Sequence, residues 1–130
     1  MLFSITPLYA IPISIIYLLL WFRTTVARGT FCVSIGHSNN EELLLRIRQH
    51  GNCAEWSSFI LIIMMLGEGT GIPAVYLHIG GMLLLAGRVF HPFGLKVDNG
   101  MHPLRIIGNS LNLIAVFACL IGITLEIITL

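Results

Sequence analysis

Residues 2–22 form a charge-free run of about 21 residues, enough to span roughly 30 Å of hydrocarbon as a helix. Inside a bilayer every backbone N–H and C=O must be satisfied within the protein, so a run of this kind has few options besides a helix. A cleaved signal peptide is the rival reading. Against it, no Lys or Arg precedes the run, the run is too long, and no small-residue cleavage pattern closes it. The rest of the chain agrees with a membrane protein: 56% of residues are hydrophobic and 10% charged, against roughly 25% charged in soluble domains. The expectation is an all-α, integral membrane four-helix bundle in a single domain over residues 1–130.

The positions of the charges say more than their sum. All seven Lys and Arg fall in two segments, Arg23 to Arg48 and Arg88 to Arg105. With four crossings both segments lie on one side, and the positive-inside rule makes that side cytoplasmic. Loops 23–40 and 92–102 are then cytoplasmic and both termini face outward. A net charge of +1 with no Lys/Arg run gives no reason to expect nucleic acid as a partner. Cys32, Cys53 and Cys119 match no zinc or redox spacing. Cys53 and Cys119 read as small apolar residues inside helices.

The first helix is expected to end near residue 25, with a glycine-bearing loop over residues 29–40. Asn39 or Asn40 should cap the second helix, with Glu41 and Glu42 in its positive first turn. That helix should run to about residue 66 and end in a turn over residues 67–73. The third is expected over residues 73–91, stopped by Pro92 and Gly94, and the fourth from Pro103 onward.

Arg48, Asn52 and Glu55 recur at i, i+4 and i+7 and therefore share one face of the second helix. Arg105, Asn109 and Asn112 repeat that spacing on the fourth. Charged side chains cost about 2.5–3.5 kcal/mol at the centre of a membrane helix, so they normally face other helices or a cavity. Glu55 lies about 10 Å along the axis from Arg48, too far for direct contact. Its partner must come from another helix or from a ligand. A packing network between helices is one reading of this stripe; a binding site is the other. His50 and Cys53 could begin a metal site, but a third ligand is missing. Lys96 and Arg23 read as headgroup anchors, His78 as a hydrogen-bonded packing residue, and Asn109 and Asn112 as links between helices.

A ligand with terminal carboxylates, an amine and a thiol would suit the binding reading, and glutathione has that composition. Arginines hold carboxylates by forked hydrogen bonds, and Glu55 would hold the amine. Arg105 is the candidate that stabilises the thiolate.

Residues 46–55 with the apolar run after them, Gly87-Arg88-Val89-Phe90-His91-Pro92-Phe93-Gly94 and Arg105-Ile106-Ile107-Gly108 together resemble the MAPEG family, the membrane-associated proteins of eicosanoid and glutathione metabolism. The resemblance extends to Val33-Ser34-Ile35-Gly36 and to Glu68, and is greatest to the small bacterial branch. It implies a homotrimer in the bacterial inner membrane, with glutathione as co-substrate bound between subunits and a lipophilic substrate drawn from the membrane lipid. By position, Arg105 matches the catalytic arginine, and Arg48, Asn52 and Glu55 match glutathione-binding residues. Arg88 matches an arginine site on the third helix, Trp56 stands where relatives often carry tyrosine, and Arg28 would contribute from a loop. His91 and Phe93 replace tyrosines of the leukotriene-synthesising branch, and His91, near the helix end where a substrate could reach, is also expected among the binding residues. The reading is therefore a glutathione-dependent transferase or peroxidase acting on lipophilic electrophiles. The alternative is a non-catalytic trimer that binds a lipid or another hydrophobic ligand, since the family also includes such a member.

Overall fold

The computed structural model describes residues 3–129, and these form four helices: α1 Thr6–Phe31, α2 Glu41–Thr70, α3 Ala74–Gly94 and α4 Pro103–Thr129. The start expected for the first helix at residue 2 lies outside the described residues. Contacts between successive helices fix an up-down-up-down order. Thr24 at the far part of α1 meets Arg46 near the start of α2, while residues 4–6 meet Glu68 near its end. Between α2 and α3, Gln49 reaches Pro92 and Asn52 reaches Arg88. The two polar loops, residues 32–40 and 95–102, therefore share one end of the bundle, called the basic end below.

Helices α1, α3 and α4 are each long and apolar enough to cross a membrane. Helix α2 falls short on composition, because its first half carries Arg46, Arg48, His50, Asn52 and Glu55. It nevertheless runs beside α1 from Arg46 to Glu68, roughly 33 Å at helical rise. Tertiary packing, not its own hydropathy, carries α2 along the length of the others.

Three boundaries differ from expectation, each for a local reason. Helix α1 continues through Arg28 to Phe31 and closes at Cys32 in the left-handed conformation, whose N–H bonds back to Gly29 O while Val33 N–H bonds to Arg28 O. Helix α2 runs through Gly67 and Gly69 to Thr70 and ends only at Gly71, where φ is +83°. A left-handed cap of this kind favours glycine. Pro92 lies inside α3 instead of ending it, and Gly94 is its last residue. One N–H is lost at Pro92, but its carbonyl gains Gln49 Nε2 at 2.8 Å. The second helix starts as expected: Asn40 Oδ1 accepts from Leu43 N–H at 2.9 Å.

The tightest seam is α3 on α4. Gly80, Gly87 and Gly94 on α3 face Cys119, Asn112 and Arg105 on α4, and Gly108 of α4 receives His91. A Cβ on Gly87 would sit 2.9 Å from Gly108 O, and one on Gly108 would sit 3.0 Å from the His91 backbone. Small residues let two membrane helices approach to backbone contact, where dispersion replaces the missing hydrophobic drive. The core on both sides is Ile13, Ile60, Met64, Leu77, Leu84 and Ala115. His78 is tied to Tyr9 of α1 at 2.9 Å, the packing role its position suggested.

At the other end Glu68 closes the α1–α2 hairpin. Its carboxylate accepts from the backbone N–H groups of Ser4, Ile5 and Thr6 at 2.5, 2.6 and 2.8 Å, the otherwise unpaired donors of the α1 N-terminus. Partial burial opposes the charged form, but these amide hydrogen bonds, that of Ile5 foremost, outweigh it and hold the carboxyl down to about 2. Because the folded value is depressed, the stabilisation is complete above about pH 4.5 and is lost as the pH falls towards 2. Glu68→Ala is expected to cost about 1–2 kcal/mol at neutral pH, the scale of a lost helix cap. Unfolding titrations in detergent across pH 2–7 check it: the gap between wild type and variant should close on acidification.

Candidate functional site

The basic end holds a cavity of about 270 Å³ between α2, α3 and α4. Arg48 and Asn52, one turn apart, enter from α2; Arg105 and Asn109, also one turn apart, enter from α4. His91 contributes from α3, and Lys96 comes over the top from the loop that follows it. Three cations and two carboxamides thus face one space, and none of the lining residues is acidic. Among the described residues the single ion pair is Arg46 with Glu42, so Arg48, Lys96 and Arg105 carry no carboxylate partner. Such an arrangement selects an anion.

Arg88 is 1% exposed yet does not line this cavity. Its Nη1 donates to Asn52 O at 3.1 Å and to Asn52 Oδ1 at 2.9 Å. A guanidinium only donates, so this contact orients the Asn52 amide with its oxygen inward and its NH₂ left for a ligand. Arg88 Nε and Nη2 have no partner and are enclosed, and the residue lies in the wall of a second, apolar groove between α1, α2 and α3.

The expected site residues therefore separate. Arg48, Asn52, His91 and Arg105 come together. Arg88 supports Asn52 from behind. Glu55 is exposed on the flank of the bundle beside Trp56 and Phe59, away from the cavity wall. It lies roughly 14 Å along α2 from Arg46, well into the apolar part of the bundle. Trp56 packs on the core. Arg28 turns back on its own loop, where Nη1 donates to the carbonyls of Val33, Ser34 and Gly36 at 3.3, 3.2 and 3.0 Å. In this chain it shapes residues 32–40 and does not reach the cavity.

Asn109 and Lys96 line the cavity, where their sequence positions suggest a link between helices and a headgroup anchor. Asn109 is in the cavity and its Oδ1 lacks a partner, whereas Asn112, one turn deeper, is buried against Gly87 with neither amide atom paired. The i+4 spacing from Arg105 was the available signal for Asn109. Lys96 gave none, because the fold of a loop brings it over the site. Among the described residues no cluster of three metal-ligating side chains occurs.

A model of the MAPEG family matches residues 6–125, nearly the whole chain. The chain belongs to the MAPEG family. As a MAPEG protein with three helices apolar enough for a bilayer, it is an integral membrane protein, related at the family level to glutathione metabolism. It is also 31% identical over 90 residues, 69% of each chain, to the inner membrane protein YecN of Escherichia coli K12. The YecN of Escherichia coli O6:H1 strain CFT073 matches with the same identity and coverage. No solved structure matches significantly.

Proposed function

We propose that this MAPEG protein is a glutathione-dependent transferase or peroxidase of the bacterial inner membrane, working on lipophilic electrophiles. The observation that carries the reading is the acid-free cavity in which Arg48, Lys96, Arg105, His91 and the amide of Asn52 converge. Glutathione presents two carboxylates, which suit Arg48 and Lys96, and a thiol, which suits Arg105. When the thiol ionises its proton passes to water, and the thiolate attacks an electrophilic carbon. The S–C bond forms as a leaving group departs with its electron pair or, at a conjugated double bond, as the π pair shifts to the next carbon and takes a proton from water. With a lipid hydroperoxide the thiolate breaks the O–O bond, the alcohol leaves, and a second glutathione converts the sulfenic acid to the disulfide and water. Arg105 lowers the cost of the anion before attack.

A volume of about 270 Å³ falls just under the roughly 300–1,000 Å³ usual for small-molecule sites, so a tripeptide extends past the walls of one chain. Glu55, exposed in an apolar surface and without a cationic partner, would take the amine of that extension. Both points favour a site completed by a neighbouring subunit, in a homotrimer. The basic end faces the cytoplasm by the positive-inside rule, with both termini outward.

The test is a titration of detergent-purified protein with glutathione, following thiolate absorbance in the ultraviolet at pH 7. Saturable growth of the thiolate band supports the enzyme. Binding by calorimetry without that band favours a non-catalytic ligand-binding protein, and no binding at all removes the glutathione reading.

A further inference from the structure

The second cavity is larger and differs in kind. It is a groove of about 640 Å³ between α1, α2 and α3 of a single chain. Its walls are mostly aliphatic and aromatic, with Ile16, Leu19 and Leu20 on α1 facing Val89 and Phe93 on α3. Leu19 and Phe93 are exposed, so the groove opens onto the flank of the bundle. An apolar trough on that surface is ordinary for a membrane protein. The polar groups within it are not.

They occur at two depths. Arg23 and Lys96 stand at the mouth, near the basic end. Arg88 lies deeper, six residues before the end of α3 at Gly94, or about 9 Å along the axis. It is 1% exposed, and its Nε and Nη2, the two parallel donors of the guanidinium fork, have no partner. The wall contains no carboxylate to answer any of the three cations. A buried cation with an unfilled fork is costly unless something accepts from it.

We infer that this groove is a binding site for one anionic glycerophospholipid, with its phosphate between Arg23 and Lys96 and its ester carbonyls toward Arg88. The layering of the ligand matches that of the groove: phosphate outermost, ester oxygens below it, acyl chains beyond. A fatty acid has a single polar layer and would leave one set of cations unanswered. A zwitterionic headgroup would bring its ammonium or choline against Arg23 and Lys96 with no acidic residue to receive it. Basic pockets between membrane helices bind anionic headgroups by this means. The groove has its own mouth, and Arg23 and Arg88 line it alone, whereas Lys96 stands on the wall it shares with the first cavity and serves whichever anion is bound beside it. The two cavities share Leu45, Leu95 and Lys96 as a common wall.

The experiment is native mass spectrometry of delipidated full-length protein offered phosphatidylglycerol, phosphatidylcholine, oleate or glycerol 3-phosphate. Phosphatidylglycerol should be retained at one per chain and preferred over phosphatidylcholine. Arg23→Gln, at an exposed position, should reduce that preference about fivefold, the size expected of one cation at a membrane surface. Val89→Trp, which fills the groove from an exposed position, should abolish retention while helix content by circular dichroism is unchanged. Equal retention of the two phospholipids overturns the inference. So does retention by both variants at the wild-type level, or binding of oleate or glycerol 3-phosphate as tight as that of phosphatidylglycerol.

Discussion

Arg105→Ala is expected to abolish the thiolate band of bound glutathione at neutral pH and to lower the conjugation rate about 100-fold. The size follows from electrostatics. A free thiol has a pKa near 8.5, and bringing it down by two units takes about 2.7 kcal/mol of preference for the anion. One guanidinium at about 4 Å supplies roughly 4 kcal/mol at an effective dielectric of 20. Arg48 and Lys96 remain in the variant and still hold carboxylates, so glutathione affinity should fall by less than tenfold while the band disappears. That split separates a thiolate role from a loss of binding. Arg105 is half-buried in the first turn of α4, so truncation there should leave the bundle intact. Arg105→Lys should restore part of the band, since a point charge replaces the fork. A band of undiminished height in the alanine variant would remove Arg105 from the mechanism.

The largest effect on stability is expected at Gly94. A Cβ there would land on the backbone nitrogen of Arg105 and lie 2.5 Å from Leu104 C and 2.8 Å from Arg105 Cα. Backbone at a helix start cannot rotate aside as a side chain would, so α3 and α4 must separate. Gly94→Ala should lose about 2–4 kcal/mol, the upper range of overpacking costs, even after the roughly 1 kcal/mol that alanine gains in helix propensity. Denaturation in mixed micelles measures this. Gly29→Ala is the control: nothing lies within 4 Å of the added methyl, and the substitution should be neutral or slightly stabilising. Because Gly94 brings the ends of α3 and α4 together beside His91 and Arg105, the variant should also weaken glutathione binding. A Gly94→Ala protein as stable as the Gly29→Ala control would mean that the seam has more room than its backbone spacing indicates.

Much of the bundle was legible because membrane segments must satisfy their backbone internally. Apolar run length alone predicts three of the four helices, and Pro103 and Asn40 mark two of the starts. The errors in boundaries came from reading Gly67, Gly69 and Pro92 as breakers. Local propensity does disfavour them in helices, yet Gly67 is held against Ile72 and Ile123 and the Pro92 carbonyl is held by Gln49. Such tertiary contacts outweigh about 1 kcal/mol of intrinsic preference at a glycine. Helix α2 is the converse case: its polar half hides it from a hydropathy criterion, and its neighbours carry it along the bundle.

For the candidate site, the sequence by itself determined the chemistry on offer. Helical pitch puts Arg48 with Asn52 and Arg105 with Asn109, and no reading of the chain would separate those pairs. Only the tertiary structure decided which members meet. Periodicity fixes the face of one helix but not the helix that the face meets, and it is silent about loops. Lys96 thus joined the cavity and Arg28 left it, and Glu55 turned outward although it shares a stripe with residues that line the cavity. Arg88, from the same motif as His91, lies three residues before it on α3. That offset of less than a turn directs His91 to one cavity and sets Arg88 in the wall of the other.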